Sequence, residues 1–149
     1  MGNALTGTKT LQGSSGLPAL SEEAKREAAQ SIAAKLLRTA EGEATAPATW
    51  LRVADAHGCR LLPYYEPFTG LGKYIVESRT IAYNTATDPA TIARVLVHEL
   101  SHDELLYWIP PQLHNAADVY CYGDDPADVR HQIARLVEEL VFPEALPVI

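Results

Sequence analysis

Only two cysteines occur in the 149 residues, Cys59 and Cys121, and neither lies in a CxxC pair. That excludes a disulfide scaffold and a thiolate metal knuckle and favours a reduced chain, although one bridge between the two stays compatible with it. Long apolar runs are also missing, so no segment has the length of a membrane span. The polar N-terminus carries no signal-peptide core. "MGNALT" meets the short N-myristoylation pattern, which chance meets easily. Basic clusters are lacking too. The net charge is −7 and Lys25-Arg26 is the densest basic pair, which argues against direct binding of nucleic acid. These absences predict a cytoplasmic protein with no membrane and no nucleic-acid partner.

What is present is an ordinary globular composition, 47% hydrophobic and 21% charged, with enough length for one domain and its core. Residues 1–19 are rich in Gly, Ser and Thr and lack periodicity, which reads as a flexible tail. A single domain is expected over 20–149. Ser21 precedes Glu22 and Glu23 and opens an amphipathic helical pattern through Ile32, Leu36 and Leu37 that Gly42 closes. A second helix fits "APATWLRVADAHG", with Pro47 near its start and Gly58 past its end.

The period then shortens. "CRLLPYY", "KYIVES" and "TIAYN" read as strands, the last two joined as a hairpin at Ser78-Arg79. Asp88-Pro89 caps a third helix that runs to about Tyr107 and stops before Pro110-Pro111. Some two dozen loop-rich residues follow, and Asp125-Pro126 opens a last helix ended by Pro143. The order is two helices, a small sheet and two helices, an α+β fold without internal repeats.

The third helix carries "ARVLVHELSHDELL", with His98, Glu99 and His102 in HExxH spacing. Residues four apart share a helix face, so the two imidazoles can address one ion. Glu99 is rotated by about 100° and is placed to take a proton from water activated by zinc rather than to ligate. Ala93, Leu96, Val97 and Leu100 form an apolar stripe that leaves the histidines on a neighbouring face. The competing reading is a solvated face with two histidines, one paired with Glu99.

A catalytic zinc needs a third protein ligand. Leu105 and Trp108 stand where a metzincin extension needs Gly and His. The remaining candidates are Glu138, Glu139 or His131 on the last helix, and His114 or Asp118 in the loop. Glu138 and His131 lie seven residues apart, nearly on one ridge. For each residue alone, exposed charge on the outer face of a terminal helix is the default. Tyr107, Trp108, Tyr120 and Tyr122 either line a substrate cleft or anchor the long loop, the second being the simpler role.

Three stretches together resemble the ImmA/IrrE family of small bacterial zinc metallopeptidases. "WLRVADAHGCRLLPYYEP" is similar to the family's helix leading into a first strand. "RTIAYNTATDPATIARVLVHELSH" is similar to its hairpin strand and HExxH helix, and "RHQIARLVEELVFP" to its closing helix. The resemblance spans about residues 20 to 145 and implies a zincin-like fold and a zinc-dependent endopeptidase acting on a protein, typically a DNA-binding repressor. By position it implies His98 and His102 as ligands and Glu99 as general base. The chain departs from the family pattern at Ser101, where the family has Gly, and at Leu136 and Val137, where it has small residues. It departs again at Gln132, which takes the place of the family's glutamate ligand and lacks an anionic oxygen. Either His131 or Glu138 then completes the site, or the site is degraded. The alternative is a non-catalytic protein-binding module that retains the fold.

Overall fold

Helix α1 spans Glu22–Thr39, and Ser21 Oγ accepts a hydrogen bond from the amide of Ala24 at 3.0 Å, capping it as its sequence predicts. Helix α2 spans Pro47–Ala56, and Gly58 follows it with a φ of 85°. These elements belong to a computed structural model that describes residues 21–107, 119–121 and 129–143, giving the backbone alone at 107 and at 119–121. The expected N-terminal tail, the Asp125-Pro126 helix start, His114, Asp118, Trp108 and Tyr122 lie outside the described residues.

Strands β1 (Arg60–Tyr64), β2 (Gly72–Ile75) and β3 (Thr80–Asn84) join β4 (Val119–Cys121) in a four-stranded sheet of order β1-β3-β2-β4. β2 and β3 form the expected antiparallel hairpin, with Tyr74 opposite Ile81. β1 pairs with β3 in parallel, and β2 pairs antiparallel with β4. β4 falls in the stretch that reads as loop in the sequence. Three residues are too few to show a strand period, and the pairing with β2 supplies what the pattern lacks.

Helix α3 spans Pro89–Glu104 and continues into a short 3₁₀ turn, Leu105–Tyr107. Asp88 Oδ2 accepts from the amide of Thr91 at 3.2 Å, fixing its start. Helix α4 spans Val129–Val141. α3 sits at the centre: it packs on α2, α4, β2 and β3, and every residue from Ala93 to Glu104 is buried. The core joins Ile32 and Leu36 of α1, Trp50 and Val53 of α2, Tyr74 and Ile81 of the sheet, Leu96 and Leu100 of α3, and Ile133 and Val137 of α4. The four helices and the sheet therefore share one core.

The C-terminal end of α3 carries Asp103 and Glu104, an unfavourable sign for that end of a helix. Both are buried and both are matched by cations. Arg79 donates to Asp103 twice, Nε to Oδ1 and Nη2 to Oδ2, each at 2.9 Å, and the Tyr74 hydroxyl donates to Asp103 Oδ1. Lys35 Nζ donates to Glu104 Oε1 at 3.0 Å, and His57 Nδ1 lies 3.3 Å from Glu104 Oε2. Arg79 closes the β2–β3 turn with a φ of 50°, a conformation uncommon outside glycine, and its guanidinium contacts account for an arginine there.

Gly72 permits a close approach of sheet to helix. A Cβ there would stand 2.6 Å from Val95 Cγ1, 2.9 Å from the Ala82 carbonyl oxygen and 3.6 Å from Glu99 Oε2. Gly72→Ala is expected to lower stability by roughly 1–3 kcal/mol through overpacking, read as a lower urea midpoint at unchanged slope. An unchanged midpoint would show that β2 does not lie against α3 at this distance.

Candidate metal centre

Arg94, His98 and His102 follow one another at four-residue intervals and so form one ridge of α3. Across from them, His131 and Glu138 lie along the inner face of α4, with the small, fully buried Ala134 between. Arg94 Nη2 donates to Glu138 Oε1 at 3.0 Å, and His98 Nδ1 lies 2.6 Å from Glu138 Oε2. The His98 and His131 rings stand 4.9 Å apart. Partner numbers fall along α4 as they rise along α3, so the helices cross this seam antiparallel.

A carboxylate only accepts, so the short contact places the His98 proton on Nδ1 and leaves the Nε2 lone pair facing inward. His98 Nε2 lies 3.3 Å from His102 Nε2. One ring nitrogen from each of His98, His102 and His131 lies within 4.8 Å of the other two. Two nitrogens on a tetrahedral ion with bonds of about 2.0–2.1 Å stand about 3.3 Å apart, so the His98–His102 pair already has the required spacing. The donor set fits a divalent ion: three buried imidazoles, one of them oriented by a carboxylate through its other nitrogen.

Burial first, then the positive charges of His131, Arg135 and Arg94, hold the His98 imidazole well below its ordinary pKa. It is therefore neutral and available as a ligand. His102 is set by the sheet. The Tyr74 ring runs nearly parallel to it, 14° between planes and 6.5 Å between centroids. Tyr74 is itself tied to Asp103, and burial together with that carboxylate pushes its phenol pKa upward. Cys59 borders the same cluster. Burial, with Asp103 nearby, pushes its thiol up to about 12, so it is a buried, protonated thiol and not a nucleophile.

The structure brings together His98, His102 and His131. It places Glu138 behind His98, its two oxygens engaged by His98 and Arg94, as a partner of a candidate ligand rather than a member of the three-nitrogen group. Gln132 turns the other way, where its Oε1 accepts from Lys25 Nζ at 2.7 Å. Glu139 is exposed. Glu99 is fully buried one residue from His98, with its carboxylate toward Gly72 of the sheet. The expectation of exposed charge on the outer face of α4 fails for His131 and Glu138, which are 6% and 0% exposed. The solvated-face reading of the motif fails as well, with His98 at 0% and His102 at 3%. The sequence pattern assigns Arg94 no role; its visible signal is an arginine four residues before His98, on the same ridge of the helix.

Comparison with protein-family models, with curated proteins and with solved structures finds no match for this chain. Its functional reading therefore rests on its own residues.

His131→Ala is expected to remove high-affinity metal binding in competition with a chromogenic chelator. Glu138→Gln is expected to weaken it by about 10- to 100-fold, the usual effect of losing a carboxylate that orients a ligating histidine. Gln132→Ala should leave it in place. Equal effects of the His131 and Gln132 changes would contradict this assignment.

Proposed function

We propose that the chain is a zinc-dependent metallo-endopeptidase of zincin-like fold that acts in the cytoplasm on a protein substrate. The observation that carries this reading is the convergence of His98, His102 and His131 beside a buried Glu99 in HExxH spacing. Two histidines would follow from any helix bearing the motif. The third comes from a separate helix, which gives the grouping its weight. Histidine suits zinc, and three protein ligands leave a fourth position open for chemistry. No helix among the described residues is long and apolar enough to cross a membrane, which is compatible with the proposed location.

Zinc held there supplies a Lewis acid that acidifies water and polarises a carbonyl. The chain supplies the rest. His98 is kept neutral and aimed by Glu138, with Arg94 holding the far oxygen of that carboxylate. Tyr74 backs His102. Glu99 carries no ligand role; its carboxylate oxygen accepts the proton released as water attacks the scissile carbonyl, and returns it to the departing amine. Because three imidazoles bring no charge, the Glu138 carboxylate against His98 helps to balance a dication. A DNA-binding repressor is the substrate type implied by the family resemblance, and the chain's net charge of −7 supports a role through such a partner over direct contact with DNA.

A second reading has one observation in its favour. The three histidines are nearly closed off from solvent, as structural metal sites are, which suits a module that holds a partner without cutting it. The two readings separate on Glu99. The zinc-loaded chain, incubated with a proteome-derived peptide library and read by mass spectrometry for new termini, is expected to cleave. Glu99→Gln should lower cleavage at least about a hundredfold while retaining zinc. Absence of cleavage by the zinc-loaded wild type, or cleavage that survives in Glu99→Gln, would refute the peptidase.

A further inference from the structure

A cleft of about 290 Å³ opens between the first turn of α1 and the start of α4, lined by Glu22, Lys25, His131, Gln132, Arg135 and Leu136. His131 thus belongs at once to the metal centre and to the wall of this cleft. We infer that the cleft is a carboxylate-binding subsite beside the metal centre, formed by Lys25 and Arg135, and that it selects substrates presenting a carboxylate next to the scissile bond. The inference deepens the peptidase reading and rests on it for the word substrate; the anion site itself stands on the cleft.

Two features point to this ligand class. The walls carry two cations against one carboxylate, and the dication expected at His131 adds to the same sign. The cleft also already shows how it receives a carboxylate: Glu22 Oε2 lies 2.7 Å from Lys25 Nζ. The Glu22 side chain is 75% exposed, so this is a surface pair of small net worth that an incoming carboxylate can displace.

Lys25 is nearly buried and its ammonium is held at 2.7 Å by Gln132 Oε1, which sets its direction. Arg135 lies on α4 four residues, about one turn, after His131, on the same side of the helix. Its planar fork matches a carboxylate with two parallel hydrogen bonds, which a lysine cannot reproduce. The volume is that of one side-chain-sized group, at the lower end for small-ligand sites. This gives Gln132 a role. A glutamate there would set a second carboxylate against Lys25 and remove the excess positive charge, whereas the amide orients Lys25 without neutralising it.

The test is a heteronuclear NMR titration of the full chain, run without metal and repeated with zinc. The probes are N-acetylglycine for a C-terminal carboxylate, N-acetylglutamic acid α-amide for a side-chain carboxylate, and N-acetylglycinamide as the neutral control. Saturable shifts at His131, Gln132 and Arg135 with one or both carboxylates, and none with the control, are expected. The stronger of the two names the source of the carboxylate. Arg135→Met should weaken binding at least about tenfold, with Arg135→Lys recovering part of it. Equal shifts from the neutral amide, unsaturable shifts from all three, or undiminished binding in Arg135→Met at unchanged melting temperature would overturn the inference. The metal-free arm separates the two failures: a chain that binds carboxylate but no zinc refutes the peptidase, and one that binds zinc but no carboxylate refutes the subsite.

Discussion

The pairing of Glu138 with His98 and Arg94 is the constraint on which the rest of the molecule depends. A carboxylate at 0% exposure costs several kcal/mol to bring out of water, and it is tolerated only where well-placed donors replace the lost hydration. Arg94 and His98 are those donors, and they stand one turn apart on α3. Matching both with one residue of α4 sets the helices' register and direction. Given that register, His131 falls opposite His98 and His102. Replacing the three polar groups with apolar residues of like size would make an adequate helix seam, so the ions are better explained by what they position than by stability.

The other end of α3 follows a similar logic. His102 is followed directly by Asp103 and Glu104, two buried carboxylates where the helix dipole favours cations. Arg79 from the hairpin turn, Lys35 from α1 and His57 from the end of α2 converge on them. Three distant parts of the chain are thereby tied to the last turn of the helix that carries the motif. Tyr74 joins this set through Asp103 and stacks on His102, so the fixing of the helix end and of a candidate ligand are one event. The price is a core rich in paired charge, in which removal of any one partner strands another.

Much of this was legible in the chain. Ser21, Pro47, Gly58 and Asp88 mark helix ends through local backbone chemistry, and local chemistry survives folding. The HExxH spacing fixes a shared face for His98 and His102 whatever surrounds it. The residues that were not legible are those whose role depends on a neighbour distant in sequence. His131 and Glu138 lie on the right ridge, but α4 read alone has the pattern of a terminal helix with a charged outer face. Only the packing of α4 against both α1 and α3 turns that ridge inward. β4 is three residues long and owes its form to β2. In sequence, Gln132 reads as the loss of a ligand because it stands at a glutamate's place in the resembled pattern; in the structure it faces Lys25, and the adjacent His131 joins His98 and His102.

In the proposed site α3 and α4 together hold zinc with three imidazoles. Zinc K-edge X-ray absorption on the zinc-loaded protein reads the ligand set directly. The account predicts three imidazole nitrogens at about 2.0–2.1 Å, with their multiple-scattering signature, and one further light atom in a four-coordinate site. Two imidazoles with a carboxylate would put Glu138 in the place given to His131, and a chain that retains no zinc to measure would remove the metal centre altogether.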